Sequence, residues 1–188
     1  MDALSRLAHS ARDGRQGALE AFVDAAYDQV WRLCATLVDR QSADDLAQET
    51  FVRAVRTLPR FRGDASARTW LLAVARHACL DELRSRGRRR RLDGELAALG
   101  GAEAGTQSDA SQQPAVADLV SQLERDRRTA FVLTQMLGLS YAEASQVCEC
   151  PKGTIRSRVA RARADLLELL GELGGERSPR PRRRYPTA

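Results

Sequence analysis

The sequence predicts an all-α protein of two small helical domains joined by a flexible linker, and three observations carry that prediction. Apolar residues make up 43% of the 188 residues but aromatics only 5%, which suits small helical units packed with Leu, Ala and Val. Apolar positions recur at helical spacing through most of the chain, and strand-like alternation is nearly absent. From Leu92 to Gln113 the periodicity disappears into a stretch rich in Ala, Gly, Ser and Gln, the composition of a linker. The expected division is therefore a first domain over 1–91, a linker over 92–113 and a second domain over 114–173. Residues 174–188 form a Pro/Arg-rich basic tail, expected to be disordered.

Taken in order, Met1 to Ala11 is expected to form a short helix ended by Asp13-Gly14. Gly17 to about Val38 forms a longer one, with Leu19, Phe22, Val23, Ala26, Val30, Leu33 and Leu37 at helical spacing. Ser42 caps a helix running to Leu58, with Asp45 at the capping-box position and Asp44 in the positively polarised first turn. Its expected buried stripe is Ala43, Ala47, Phe51, Val55 and Leu58. Another face carries Asp45, Gln48, Glu49 and Val52, acidic with one apolar residue in the middle; on spacing alone it is an ordinary solvated face. Pro59 to Ala65 is a loop, and Ser66 starts a helix from Ala67 to about Arg84. Trp70, Leu71, Val74 and Ala78 line one side of that helix and Leu72, Cys79 and Leu83 another, so it should be central to the first domain. Trp70 there is expected in the core rather than as a stacking platform.

The second domain carries the clearest signal. After helices over Ala115 to Glu124 and Asp126 to Leu137, closed by Gly138, Ser140 and Glu143 form a capping box for a short helix. Pro151 stops that helix and permits another to begin. On this last helix Ile155, Val159, Ala162 and Leu166 form one apolar stripe. Ser157, Ala160, Arg161 and Ala164 lie opposite, flanked by Arg156 and Arg163 on one side and Arg158 on the other. Small residues let a backbone approach a groove, and arginines reach phosphates or guanine edges. Two helices across a tight turn, the second so patterned, make a helix-turn-helix with a recognition helix.

The formal net charge is +5, and Lys152 is the only lysine. Arginine clusters over 84–91, 156–163 and 177–184, which favours a polyanionic partner. No segment approaches the roughly 20 apolar residues of a membrane span, and no signal peptide is evident, so a cytoplasmic location is expected. Cys148-x-Cys150, with only His9 and His77 elsewhere, is a poor metal signature. Cys34, Cys79, Cys148 and Cys150 are expected in the core or in turns. Asp44, Asp45 and Glu49 lack the further ligand that a metal nuclease needs. No metal, cofactor or catalytic residue is expected. A stand-alone helix-turn-helix regulator is the alternative to the reading that follows.

Four stretches resemble the extracytoplasmic-function (ECF) group of sigma-70 factors, the specificity subunits of bacterial RNA polymerase. They are Ser42-Ala43-Asp44-Asp45-Leu46-Ala47-Gln48-Glu49-Thr50-Phe51, Phe61-Arg62-Gly63-Asp64, Thr69-Trp70-Leu71-Leu72-Ala73-Val74-Ala75-Arg76, and Gly153-Thr154-Ile155-Arg156-Ser157-Arg158 with Arg161-Ala162-Arg163. They occur in the family's order and spacing, over about residues 15–173. The wording of 66–72 and 137–141 resembles the actinobacterial SigC type. The resemblance implies sigma-2-like and sigma-4-like domains that direct transcription initiation without enzymatic chemistry.

It also implies that Asp45, Gln48, Glu49 and Val52 dock on the β′ coiled coil of core RNA polymerase, with the β flap as a second contact. Phe61, Arg62, Gly63, Asp64, Ala65 and Ser66 would hold a base flipped from the −10 element, and Arg76, His77 and Arg84 the duplex just upstream. Arg156, Ser157 and Arg161 would read the −35 element, with Lys152 and Thr154 near phosphates. An anti-sigma partner is compatible with membership, though no residue demands one. Four positions depart from the pattern: His77 stands where Asn is usual, Glu149 where Gly is common, and Ala144-Ser145 where Ile-Ala is usual. At Glu149 a positive φ would cost about 1 kcal/mol.

Overall fold

A computed structural model describes residues 1–100 and 116–173. The first domain holds α1 (Ala3–Arg12), α2 (Ala18–Leu37), α3 (Ala43–Thr57), a 3-10 turn over Leu58–Arg60 and α4 (Ala67–Gly100). The second holds α5 (Val116–Gln122), α6 (Arg125–Phe131), a wide turn over Val132–Met136, α7 (Tyr141–Cys148) and α8 (Lys152–Leu173). No strand occurs among the described residues.

The stripe predicted on α2 is the spine of the first domain: Phe22, Ala26, Val30, Leu33 and Leu37 are all buried. α4 is buried on two sides, through Leu71, Leu72, Ala75, Ala78 and Cys79. Cys34 and Cys79 meet in this core with sulfurs 3.6 Å apart. That contact and burial both hold the Cys79 thiol protonated.

Three expectations for this domain need correction. Val55 is 42% exposed, and α3 instead buries Ala43, Leu46, Ala47, Thr50, Phe51 and Ala54. The core-facing stripe is thus rotated, because the Thr50 hydroxyl is satisfied by the Leu46 carbonyl at 2.7 Å and can be buried. Ser42 makes no side-chain cap; the Asp39 carboxylate takes the Ser42 N–H at 2.8 Å, and Arg86 donates to the Ser42 hydroxyl. Finally, α4 runs on past Arg84 through the arginine cluster to Gly100. Arg, Glu, Leu and Ala propagate a helix well, and Arg86 is held by Glu82 one turn back and by Asp39. Residues 92–100 of the expected linker are therefore helical. The rest of the linker, 101–113, and the tail lie outside the described residues.

The second domain packs Val120, Leu123, Ala130, Val132, Leu133, Leu139, Ala144, Val147, Ile155, Val159 and Ala162 into one core. The stretch expected as one helix to Leu137 divides at Phe131, where the backbone widens before Gly138 (φ 71°) reverses it. Glu124, expected at the end of the preceding helix, caps α6 instead by accepting from the Asp126 and Arg127 amides at 3.1 Å. The capping box of α7 forms in both directions, with Glu143 N–H to Ser140 Oγ at 3.2 Å and Ser140 N–H to Glu143 Oε2 at 2.8 Å. α7 ends at Glu149 with φ 53° and ψ 43°, the positive φ suspected there.

The two domains touch. α4 packs along α7, and α2 meets α5 and α6. Arg68 on α4 donates to Gln29 and to the Leu137 carbonyl across the boundary. Arg128 on α6, its guanidinium pushed down by burial, donates to the Leu37 carbonyl at 3.4 Å. His77 Nε2 lies 3.3 Å from Glu149 Oε1.

Candidate nucleic-acid interface and polymerase-facing surface

The acidic face of α3 is displayed as the spacing predicts, with Asp45, Gln48, Glu49 and Val52 all exposed. Its apolar part is wider than expected, since Val52 and Val55 are exposed one turn apart, at 44% and 42%. Glu49 accepts from Arg53 at 2.7 Å, and Arg53 also reaches Asp81 on α4 at 2.7 Å. The rigid bridge between α3 and α4 therefore includes Glu49. Asp44 takes the Tyr27 hydroxyl at 2.8 Å, leaving Asp45 as the acid of this face with no side-chain partner among the described residues.

The loop between the 3-10 turn and α4 encloses a cavity of about 290 Å³ lined by Thr57, Arg60, Trp70 and residues 61–65. Phe61 is its floor rather than its rim: only 5% exposed, it lies against Trp70 with ring centroids 5.1 Å apart. Trp70 is half-buried and belongs to both core and cavity wall, because its other neighbour is Phe22. Arg62 and Asp64 stand exposed at the rim. Ser66 does not line this cavity; its hydroxyl caps α4 at the Thr69 N–H, 3.1 Å away.

Arg76, His77 and Arg84 do not join that cavity. His77 faces Glu149 in the turn of the helix-turn-helix, and burial pushes the neighbouring Cys148 thiol up to about 11, with the nearby Arg76 opposing the rise. Arg84 lies further along α4, paired with Asp81 at 3.2 Å.

α8 matches its predicted pattern closely. Ile155, Val159 and Ala162 are buried, and Leu166 packs beside them. Lys152, Arg156, Ser157 and Arg161 are exposed and Thr154 half-exposed. No ion pair among the described residues occupies Lys152, Arg156 or Arg161. Two of the three flanking arginines are engaged: Arg158 pairs with Asp126, and Arg163 donates to Gln135 at 2.6 Å. The free cations are thus Lys152, in the first turn of a helix whose dipole favours phosphate there, and Arg156 and Arg161 further along the exposed side.

Sequence reasoning missed Arg53, Arg68 and Arg128, which act as structural donors. In a chain with so many arginines, no local signal distinguishes a cation destined for a carbonyl from one destined for solvent.

A helix-turn-helix with an unpaired basic outer face, joined to a second helical domain with a loop cavity, defines a two-domain DNA-binding protein. A model of sigma-70 region 2 matches residues 22–89, and one of sigma-70 region 4 matches residues 114–166. The ECF RNA polymerase sigma factor SigC of Mycobacterium tuberculosis is 48% identical over 176 residues, covering 88% of this chain and 90% of that protein. The RNA polymerase sigma-H factor of Pseudomonas aeruginosa is 37% identical over 148 residues, covering 72% and 76%. Among solved structures, CnrH in complex with the cytosolic domain of CnrY matches with a TM-score of 0.70 and 30% identity, covering 91% of this chain and 99% of that one. The sigma factor RpoE of Bartonella quintana, in complex with the anti-sigma factor NepR, matches with a TM-score of 0.65 and 26% identity, covering 82% and 97%.

The chain belongs to the ECF group of the sigma-70 family, and within it to the SigC type. Its function is that of a sigma factor in promoter-specific transcription initiation, and the stand-alone regulator is not favoured. No helix among the described residues is long and apolar enough to cross a membrane.

Proposed function

We propose that the three surfaces divide the work of initiation as follows. The α3 face of Asp45, Gln48, Glu49 and Val52 docks on the β′ coiled coil of core polymerase, with Val55 extending the apolar contact, and the second domain docks on the β flap. The loop cavity at Phe61 to Ala65 takes a base unstacked from the −10 element, with Ser66 fixing the start of α4 behind it. Arg76, His77 and Arg84 meet the duplex upstream, and Arg156, Ser157 and Arg161 read −35 bases while Lys152 and Thr154 hold phosphates. The working limits are 1–91 for the first domain and 114–173 for the second. The chain acts in the cytoplasm and carries no catalytic residue: its binding energy holds an open promoter rather than driving a reaction. By analogy with the RpoE relative, whose structure holds the anti-sigma factor NepR, an anti-sigma protein is a candidate partner.

The observation that carries this reading is the outer face of α8, where Lys152, Arg156 and Arg161 are free while Arg158 and Arg163 on the same helix are engaged. One bidentate arginine–guanine contact contributes about 1–3 kcal/mol of discrimination. The −10 and −35 elements lie about 25 base pairs apart by their names, on the order of 80 Å of duplex. Domains packed α4 to α7 do not span that distance, so they separate on the promoter and free Arg76 and His77.

Run-off transcription on genomic fragments, with core polymerase from the same organism, tests the proposal. Defined transcripts that appear only on adding this protein, and that Arg161→Ala weakens without loss of polymerase binding, are expected. No new transcripts, from a protein that also fails to bind active core, would overturn it.

A further inference from the structure

The 61–66 loop does not hold its own shape. Residues 62–65 make no backbone–backbone hydrogen bond, and Gly63 sits at φ 84°. The loop stands between two hollows that share residues 62–65. One is the cavity of about 290 Å³ against Trp70, and the other, of about 380 Å³, lies against Asp2, Ser5 and His9. A segment with space on both sides keeps its form only if something outside it does the holding.

That support comes from α1. Arg12 donates to the Phe61 carbonyl at 3.2 Å, fixing the near end of the loop. At the far end the Ala67 N–H donates to Ser5 Oγ at 2.9 Å, while the Ser5 hydroxyl donates to Asp2 Oδ2 at 2.7 Å. His9 supports the middle. Its Nδ1 lies 2.7 Å from the Ser5 carbonyl and donates to it. Its ring meets Phe61 edge-on, with centroids 5.2 Å apart. A Cβ added at Gly63 would lie 3.1 Å from His9 Cε1 and 3.2 Å from Nε2. Gly63 is therefore favoured twice, by its positive φ and by the closeness of the His9 ring, which any Cβ there would press upon. The sigma-70 region 2 match begins at residue 22, so α1 lies outside it.

We propose that His9 is a positioning residue for the −10 loop: its ring, wedged between Phe61 and Gly63, sets the width of the cavity and so which unstacked base the cavity accepts. This rests on the reading of the loop as the −10 base pocket. His9 touches no DNA in this scheme; it acts through Phe61 and Gly63.

The test uses the full chain assembled with core polymerase and a pool of single-stranded DNA carrying a short randomised stretch. Bound molecules are sequenced, and −35 duplex binding is measured in parallel. Wild type should enrich one base at one position. His9→Ala should cut that enrichment between about two- and tenfold, the factor an edge-to-face ring pair is worth, with −35 binding unchanged. His9→Phe, which keeps a ring edge against Phe61, should restore most of it. Should His9→Ala fail to assemble with core, His9→Leu, which fills the space without a ring edge, takes its place.

If Arg62→Ala with Asp64→Ala flattens the selection but neither His9→Ala nor His9→Leu does, the inference is wrong and the pocket reading stands. If His9→Ala weakens −35 binding equally, or if His9→Phe restores nothing, positioning through the ring is refuted. If wild type enriches no base at any position, the pocket reading fails and takes the inference with it.

Discussion

The two DNA-facing regions, the 61–66 loop and α8, are built in opposite ways. α8 is a protruding face held from behind by its own stripe of Ile155, Val159 and Ala162, so readers and support share one helix. The loop is a hollow whose floor is Phe61 and Trp70 and whose scaffolding comes from α1, some fifty residues earlier in the chain. The difference follows from the two tasks. Duplex bases already present their edges in the major groove, and a rigid helix with free cations suffices. A base taken out of the stack costs a few kcal/mol, and only a preformed cavity recovers that cost.

Substitutions sharpen this contrast. The largest effect is expected from Ile155→Asp, which buries an unpaired carboxylate behind the recognition face and should destabilise the second domain by about 3–5 kcal/mol. Urea unfolding of the full chain should show the loss, together with lost −35 binding. Asp45→Arg with Glu49→Arg comes next and should abolish core polymerase association in a pull-down while circular dichroism stays unchanged. Surviving association would mean that the docking face is misassigned.

Arg161→Ala should cost about 1–3 kcal/mol of base discrimination at −35, measured by competition between promoter variants. Glu149→Gly should raise stability by about 1 kcal/mol in thermal unfolding, because it relieves the one positive φ borne by a side chain among the described residues. It should also loosen the domain contact made through His77.

The smallest effect concerns acid. Burial pushes the Asp39 carboxyl up, but hydrogen bonds from Arg86 and Ser42 outweigh it and hold the group below the usual carboxylate range. A depressed folded value adds stability above the ordinary carboxylate range, about 3.9, and that stability is lost as pH falls through the folded value. Asp39 is 38% exposed, so screening keeps the contribution well under about 1 kcal/mol. Asp39→Asn should lower stability slightly near neutrality and flatten its decline in acid.

How much was legible in the sequence follows the same contrast. α8, its buried stripe and the capping box of α7 are local patterns, and spacing alone exposes them; Glu149 stood out only against the family pattern, which has Gly at that turn. The acidic face of α3 was visible too, but the orientation of that helix was misread at Val55, because a buried Thr50 looks polar until its hydroxyl is paired within the helix. The extent of α4 was missed because an arginine cluster suggests solvent although arginine propagates helices well. The support of the loop was illegible for a different reason. Ser5, His9 and Arg12 acquire their roles only when α1 folds back on Phe61 and Ala67, and no periodicity encodes a contact across some fifty residues or more.

Footprinting of the holoenzyme on a promoter found by run-off transcription tests most directly that two independent readers act on one promoter. At saturating holoenzyme, Arg62→Ala with Asp64→Ala should keep protection at −35 but lose permanganate-reactive thymines at −10. Arg161→Ala should do the reverse. If either variant abolished both signals, or neither changed any, the division of labour between the loop and α8 would be contradicted.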